Sequence, residues 1–535
     1  MIFNDTMQAP WLDSLAQYLA HYAVARPDTE AVVCGARRYT YAQLAEQVDL
    51  YAAAMLGAGI RPGQRVATLA PPSAEFLLTF LAATSIGAIW CGLNPKHTLR
   101  EMAHVLADAQ PVLLFTRARI DGRDLLPLVQ ELCDGAPHAL QVVLLDDIAA
   151  PCGMQSLSTF LVPAATVSPE VLASVRVAVP GSVPALLVYT SGTTGTPKGA
   201  MLPQRGLAYC SRVAVEHYGV PRIRILNNLP INHIGCVGDI CGYALAGGGT
   251  IVFTPQFNAE GSLRLIEQEG ITVWAQVPTM FQLSLGCGAL EQYDLSSLGL
   301  IMWSGAAAPA SLVALLATLA PRLVTCYGTT ETLGSVTYTE FDAALSVLAA
   351  TIGKPCPRYK LRLADGEGRE VRPGEPGEIQ LSGEVHMSGY LNRPEDSVAV
   401  RTPDGWLRTG DIARADVDGN WRLVGRLKEM FKSGGYNIYP REIELALEAW
   451  PGVEAAAVVS VPDPLFGEVG HAFVVCRDST VDAAALQAHC RVQLANYKVP
   501  KQFHIRSELP MLPIGKIDKR ALREQVLYEA GKVVQ

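Results

Sequence analysis

Charge is scarce in this chain, and so are paired cysteines. Only 18% of its 535 residues are charged, and the 43 basic and 51 acidic side chains (net charge -8) nowhere gather into a run of Lys and Arg. Nucleic acid calls for a basic stripe, so it is excluded as the main partner. The 12 cysteines contain no C-x-x-C pair, which argues against a disulfide frame or zinc site and for scattered buried thiols in a reducing cytoplasm. The opening residues lack a basic start followed by an apolar stretch, so no secretory signal is expected there. One uncharged run, Phe76 to Pro95, has about the length of a membrane span. It carries Thr79, Thr84, Ser85, Gly87, Gly92 and Asn94, and "GAIWCGLNP" reads as a strand ending in a turn. A buried helix followed by a buried strand is therefore expected, with no integral membrane segment.

The chain is too long for one ordinary core, so at least two domains are expected. Helix-like periodicity alternates with short apolar runs closed by Gly or Pro: "QPVLLFT", "QVVLLDD", "PALLVYT", "GTIVFTP", "ITVWAQVPT" and "LGLIMWSG". That alternation predicts an α/β architecture with buried strands. Past residue 350 the Gly, Pro and Asp punctuation becomes that of short antiparallel strands, and then helix and strand resume from "PREIELALEAW". The predicted division is a large α/β domain over 1–426, built from subdomains, and a small α+β domain over 427–535. "PMLPIGKIDKRALREQVL" reads as a glycine-containing loop running into a basic helix, with Lys519 and Arg520 as solvated helix charges.

"YTSGTTGTPKGAML", directly after "PALLV", sets small hydroxyl residues and glycines around a single lysine, Lys198. Glycines let backbone N–H groups approach oxygens, hydroxyls add donors, and the lysine supplies charge, a composition suited to phosphate. It is not a Walker loop, because Gly199 stands where Ser or Thr would follow the lysine.

The same stretch resembles the phosphate loop of the adenylate-forming superfamily, which contains acyl-CoA and aryl-CoA synthetases, adenylation domains of peptide synthetases and beetle luciferases. The match continues in order through "GAIWCGLNP", "LPINHIGCVGD", "WSGAAAP", "YGTTET", "GWLRTGD", "GRLKEMFKSGGYNIYPREIE" and "PIGKIDK". The resemblance implies attack of a carboxylate on the α-phosphate of ATP, giving acyl-AMP and pyrophosphate, and then attack of a thiol on the acyl-AMP. It implies that Thr190, Ser191, Gly192, Thr193, Thr194, Gly195 and Lys198 cradle phosphate, and that Gly305, Ala306 and Ala307 form the wall beside the adenine. Tyr327 stacks on that ring with Gly328 and Thr329 beside it, Thr330 donates to the α-phosphate, and Glu331 holds Mg2+ together with Thr194. Asp411 takes the ribose hydroxyls, Arg426 approaches from the other side, and Lys432 and Asn437 touch the nucleotide phosphate. Lys516 reaches from the small domain to the carboxylate and α-phosphate.

On the same resemblance the small domain rotates about Lys428 after pyrophosphate leaves, and Gly434, Gly435 and Tyr436 line the path of coenzyme A. His233, Ile234, Val237 and Asp239 fall in the acyl pocket. Asp239 admits two readings: a cap on the helix suggested by "DICGYALAGG", or a side chain facing the acid and bonding a distal hydroxyl. The small residues of "IGCVGD" predict a roomy pocket for a medium or long acyl chain, an aryl acid or a polycyclic acid. Gln204 and the pair Thr325 and Cys326 depart from residues common among relatives, and neither removes a charge from the reaction. The expected activity is carboxylate–CoA ligation, with a small-molecule acid, ATP and CoA as substrates and homodimerisation left open. The alternatives are a ligase that loads a carrier-protein phosphopantetheine and a nucleotide-binding scaffold without turnover.

Overall fold

A computed structural model describes residues 10–146, 148–190, 197–383, 385–477, 481–512 and 517–533. Two large sheets carry the first domain. One has eight strands, in the order Gly389–Tyr390, Lys198–Pro203, Pro184–Thr190, Ile89–Leu93, Arg65–Leu69, Leu113–Thr116, Gln141–Leu144 and Met154–Ser156. The other has nine, in the order Lys354–Pro355, Gly334–Tyr338, Leu323–Thr329, Leu300–Trp303, Val273–Gln276, Arg224–Asn227, Thr250–Phe253, Glu30–Cys34 and Arg37–Thr40. Their central strands are parallel, as the near-continuous apolar runs predict, while antiparallel pairs close both ends of the nine-stranded sheet and the Gly389–Tyr390 end of the eight-stranded one.

The uncharged stretch from Phe76 is a core helix and not a span. Every residue of Ala74–Ser85 is buried, and the Phe76 ring lies 5.9 Å from Trp90 in the eight-stranded sheet and 5.4 Å from Phe253 in the nine-stranded one. The helix is therefore held between the sheets, where each such ring contributes about 1.5–3 kcal/mol. Gly87 then turns the chain at φ 78°, a left-handed conformation that glycine adopts without strain, into the strand Ile89–Leu93. No single described helix is long and apolar enough to cross a membrane.

A four-stranded antiparallel sheet follows, made of Lys360–Ala364, Gly377–Ser382, Leu407–Ala415 and Trp421–Arg426. The connection 427–430 leaves it and enters a different sheet, of five strands, beginning at Phe431–Ser433. In the long strand Val453–Asp463, Ala456 and Val458 join one apolar cluster with Ile443, Leu447 and Leu486, while Ala457 and Val459 join another with Leu522 and Val526. Successive side chains point to opposite faces, so this sheet is covered by helices on both sides. The fold is a large α/β domain with a small α+β domain behind it.

Candidate active site

Loops leave an open parallel sheet at the carboxyl ends of its strands, and ligands of α/β folds bind there. Three segments singled out in the sequence emerge at that edge of the nine-stranded sheet. Leu300–Trp303 leads into Gly305, Ala306 and Ala307, all exposed, with Gly305 at φ 82°. Leu323–Thr329 leads into Thr330 and Glu331, and Arg224–Asn227 leads to His233.

The turn carrying Thr330 and Glu331 is fixed by its own hydroxyls. The Thr329 N–H donates to Thr332 Oγ1 at 2.8 Å, and the same hydroxyl donates to the Gly334 carbonyl at 2.8 Å. Leu333 closes the turn at φ 63°, which a leucine rarely adopts, so the geometry is imposed by the bonds around it. Gly328 is explained by packing: a Cβ there would run into the backbone of Gly334 and Ser335 on the paired strand.

Two charged groups flank this turn. On one side Tyr390 donates its hydroxyl to Glu331 Oε1 at 2.8 Å, and Lys198 Nζ lies 5.8 Å from the Tyr390 ring centre. Lys198 Nζ also donates to Asp396 Oδ1 at 2.5 Å, from the helix Pro394–Ala399. Burial, and then the Glu331 carboxylate, raise the Tyr390 phenol well above its ordinary value and keep it a donor. Tyr390 reaches this place because Gly389–Tyr390 pairs with Lys198–Pro203 at the edge of the eight-stranded sheet. Thr190 pairs with Lys198 where the strands Pro184–Thr190 and Lys198–Pro203 run antiparallel.

On the other side Tyr327 donates its hydroxyl to Asp411 Oδ2 at 2.7 Å, and Arg426 Nε lies 3.0 Å from Asp411 Oδ1. Asp411 and Arg426 are register partners in adjacent strands, so sheet pairing sets their contact. The Asp411 charge holds the guanidinium above its ordinary range, while burial, and then Asp411, push the Tyr327 phenol far up. Tyr327 and Asp411 are both buried, whereas the Arg426 side chain is 56% exposed.

His233 precedes a helix that is wide over Gly235–Gly242 and continues as Tyr243–Ala246. Its Nδ1 accepts the Gly235 N–H at 3.0 Å, so the ring caps this helix and a neutral imidazole carries its proton on Nε2. Ile234 and Val237 are sealed in the core, while His233 and Asp239 keep accessible surface.

Two expectations are corrected here. Asp239 is no helix cap, because it lies inside the wide helical segment, whose first residue follows Ile234, and its Oδ1 accepts the Ser335 N–H at 3.3 Å. Lys519 is no solvated charge either. It lies 2.7 Å from Glu429 and 2.8 Å from the buried Glu444, because the helix Lys519–Val533 packs its basic first turn against Pro440–Glu448 and the inter-sheet connection.

In the small domain Gly434 and Gly435, at φ 56° and 86°, form the hairpin turn between Phe431–Ser433 and Tyr436–Ile438, a conformation that needs glycine twice. Tyr436 is exposed and stacks on Tyr497 with ring centres 4.3 Å apart, and Lys432 is exposed beside it. Lys428 is exposed in the connection between the sheets. Ser191, Gly192, Thr193, Thr194, Gly195 and Lys516 lie outside the described residues, as does the side chain of Asn437. Sequence reasoning missed Tyr390 and Asp396. The only trace of them is a short "SGYLNRPEDS" whose spacing gives no hint of Lys198.

The family model of the AMP-binding enzyme matches residues 19–391, and that of the AMP-binding enzyme C-terminal domain matches 442–516. A feruloyl-CoA synthase from an Amycolatopsis species is 37% identical over 511 residues, 93% of this chain and 96% of its own length. An indoleacetate–CoA ligase from Aromatoleum aromaticum is 34% identical over 96% of this chain and 98% of its own. The solved structure of the amide bond synthetase McbA from Marinactinospora thermotolerans superposes with a TM-score of 0.83 at 30% identity, over 96% of this chain and 99% of that one. With a match to both domain models and to relatives along nearly its whole length, the chain belongs to the AMP-binding enzymes of the adenylate-forming superfamily.

Proposed function

We infer that this chain is an AMP-forming carboxylate–CoA ligase. In the first step an oxygen of the acid attacks the α-phosphorus of ATP, the bond to the β-phosphate bridging oxygen breaks, and acyl-AMP and pyrophosphate result. In the second the CoA sulfur attacks the acyl carbon, the proton of the thiol is lost, and AMP leaves. The observation that carries this reading is the placement of two opposite clusters along one strand and its turn. Asp411 and Arg426 stand at Tyr327, and Lys198 stands through Tyr390 at Glu331.

The clusters divide the nucleotide between them. Asp411 accepts the ribose hydroxyls. Its two oxygens hold the Tyr327 hydroxyl and Arg426, and a carboxylate can accept several hydrogen bonds at once. Tyr327 stacks on the adenine beside the exposed wall of Gly305, Ala306 and Ala307, and Arg426 approaches the ribose and α-phosphate. Thr190 to Gly195 and Lys198 take the β- and γ-phosphates, and Thr330 donates to the α-phosphate. Donors held in place before charge develops are the main electrostatic route to a lower barrier. His233, fixed by its bond to Gly235, closes the acyl pocket beside the carboxylate.

Among the described residues no three His, Cys, Asp or Glu side chains converge as a protein cage for a metal. A single half-buried carboxylate, Glu331, suits Mg2+, which is held by one or two carboxylates together with substrate phosphates. With Thr194 it would hold the ion, which neutralises phosphate charge when bound.

The domain boundary is placed after Arg426, supported by the change of sheet across 427–430, with Lys428 as the hinge. Lys516 serves adenylation in one orientation of the small domain, and Gly434, Gly435 and Tyr436 line the thiol path in the other, with Lys432 and Asn437 at the phosphate. Twelve cysteines without a disulfide support a reducing cytoplasm as the working compartment. The test is a screen of carboxylic acids with MgATP, with and without CoA. AMP and pyrophosphate should appear only when an acid is present, and a thioester of matching mass only with CoA. Release of ADP, or nucleotide binding without turnover on any acid, would overturn the assignment.

A further inference from the structure

A recess of about 380 Å³ opens at the amino ends of three adjacent parallel strands of the eight-stranded sheet. Arg61 and Pro62 precede Arg65–Leu69, Gly87 precedes Ile89–Leu93, and Val183 precedes Pro184–Thr190, and these four residues line it. The phosphate loop leaves the far end of Pro184–Thr190, a strand of 7 residues, which in extended form spans about 20 Å. The recess is therefore separate from the nucleotide site. Its volume lies within the roughly 300–1,000 Å³ of small-molecule sites.

The recess exists because the helix Pro169–Val177 packs on only part of its surface. It buries Leu172 alone, and Arg176 Nη1, one turn further on, pairs with Asp49 Oδ1 at 2.6 Å on the helix Tyr41–Gly57. Val171, Val175 and Ala178 form the adjoining stripe at helical spacing, and that stripe lines the recess, with Val171 51% exposed. Leu56 and Pro62 line it from the other side, and Gly87 lets Pro62 and Val179 close in, since a Cβ there would lie 3.2 Å from both side chains. Arg61 is the one charged residue among the described lining. Its Nη1 donates to Leu56 O at 3.2 Å and to Ile60 O at 3.0 Å, which ties the guanidinium to the end of the helix Tyr41–Gly57. Both N–H groups of Nη1 are thereby used, and those of Nε and Nη2 have no protein acceptor among the described residues. Unlike Arg176, Arg61 pairs with no described carboxylate.

These two features select the occupant. Val167, Val171, Val175, Val179 and Val183 present side chains without hydrogen-bonding groups, so they favour a hydrocarbon body. A guanidinium held in place at the edge of such a wall matches a carboxylate, which its planar fork bonds with two N–H groups at once. It repels a cation, and an uncharged apolar molecule gains nothing from it. We propose that this recess binds an amphipathic monocarboxylate, with its hydrocarbon tail on the valine wall and its carboxylate on Arg61. The site stands apart from the acyl pocket and does not depend on the ligase reading.

The experiment titrates the full chain, without nucleotide, with octanoate and with 1-octanol in a calorimeter. Wild type is compared with Ala178→Phe, which fills the recess from an exposed position, and with Arg61→Gln, which keeps amide donors for the Leu56 and Ile60 carbonyls; each is checked for a cooperative unfolding transition. Subtracting Ala178→Phe from wild type removes any binding in the acyl pocket. The difference should show one octanoate site per chain. Arg61→Gln should weaken that site about tenfold, the scale of a lost charge-assisted hydrogen bond, and 1-octanol should bind it about tenfold more weakly than octanoate in wild type. Identical octanoate titrations of wild type and Ala178→Phe would overturn the proposal. So would equal affinity for octanoate and 1-octanol, a comparison that needs no Arg61 variant, or an Arg61→Gln chain that folds and binds octanoate as wild type does.

Discussion

Replacing Asp239 by asparagine keeps the side chain's shape and takes away its ability to ionise. In the folded chain burial raises the Asp239 carboxyl from its ordinary 3.8 to about 7. At about 1.36 kcal/mol for each tenfold change in proton affinity, the full value of that rise is about 4 kcal/mol. Asp239 keeps some contact with solvent, which screens the charge, so about 2 kcal/mol is the better expectation. The sign follows from proton counting. Between the two pKa values the folded chain holds a proton on Asp239 that the unfolded chain has released, so stability falls as pH rises. The contribution is whole below about pH 4, declines up to about pH 7, and is flat above. Asparagine has no such slope.

Calorimetric unfolding of wild type and Asp239→Asn, from pH 4 to pH 8.5, reads this directly. Every other titrating group cancels in the difference, and the transition of the large domain is compared with itself, which avoids assuming two-state unfolding for a two-domain chain. The variant's advantage in Tm should grow between pH 4 and pH 7 and then level. Parallel curves would refute the burial argument. A variant less stable at every pH would mean that the Ser335 bond matters more than desolvation.

Lys516→Ala should slow adenylation by about 10²-fold or more, the scale for removing one electrostatic stabiliser, while sparing thioester formation from supplied acyl-AMP. Lys428→Pro should do the reverse by fixing φ in the inter-sheet connection. Equal loss of both half-reactions in both folded variants would sink the two-orientation mechanism. Asp396→Asn releases Lys198 from a carboxylate 2.5 Å away, in a pair whose side chains are 15% and 36% exposed. A partly exposed pair is worth up to about 1 kcal/mol, so KM for MgATP should fall about two- to fivefold with kcat unchanged. An unaltered or higher KM would mean that Asp396 does not compete with phosphate for the lysine.

What the sequence reveals and what it hides divide along the range of the interactions. The core helix from Ala74 was legible because an uncharged run broken by Gly87 has few other ways to fold. The strands "PALLVYT" and "LGLIMWSG" were legible for the same local reason, as was the small domain's change of texture. Asp411 and Arg426 could be named from their motifs, but their contact is a matter of register between two strands. The Lys198 environment was illegible, because Asp396 is 198 residues further along and arrives there through a two-residue strand at a sheet edge. Asp239 and Lys519 fail for a related reason. A carboxylate before an apolar run looks like a cap, yet the His233 ring takes that position and displaces the aspartate to the interior of the segment. A lysine opening a basic helix looks solvated, yet Glu444 is buried from a different helix and needs a cation. In each case the residue type was read correctly and its partner was not, because partners are set by which strands and helices the fold brings together. The site's chemistry is therefore written in short motifs, while its electrostatics, including which charges are already paired before substrate arrives, is written in the pairing of distant segments.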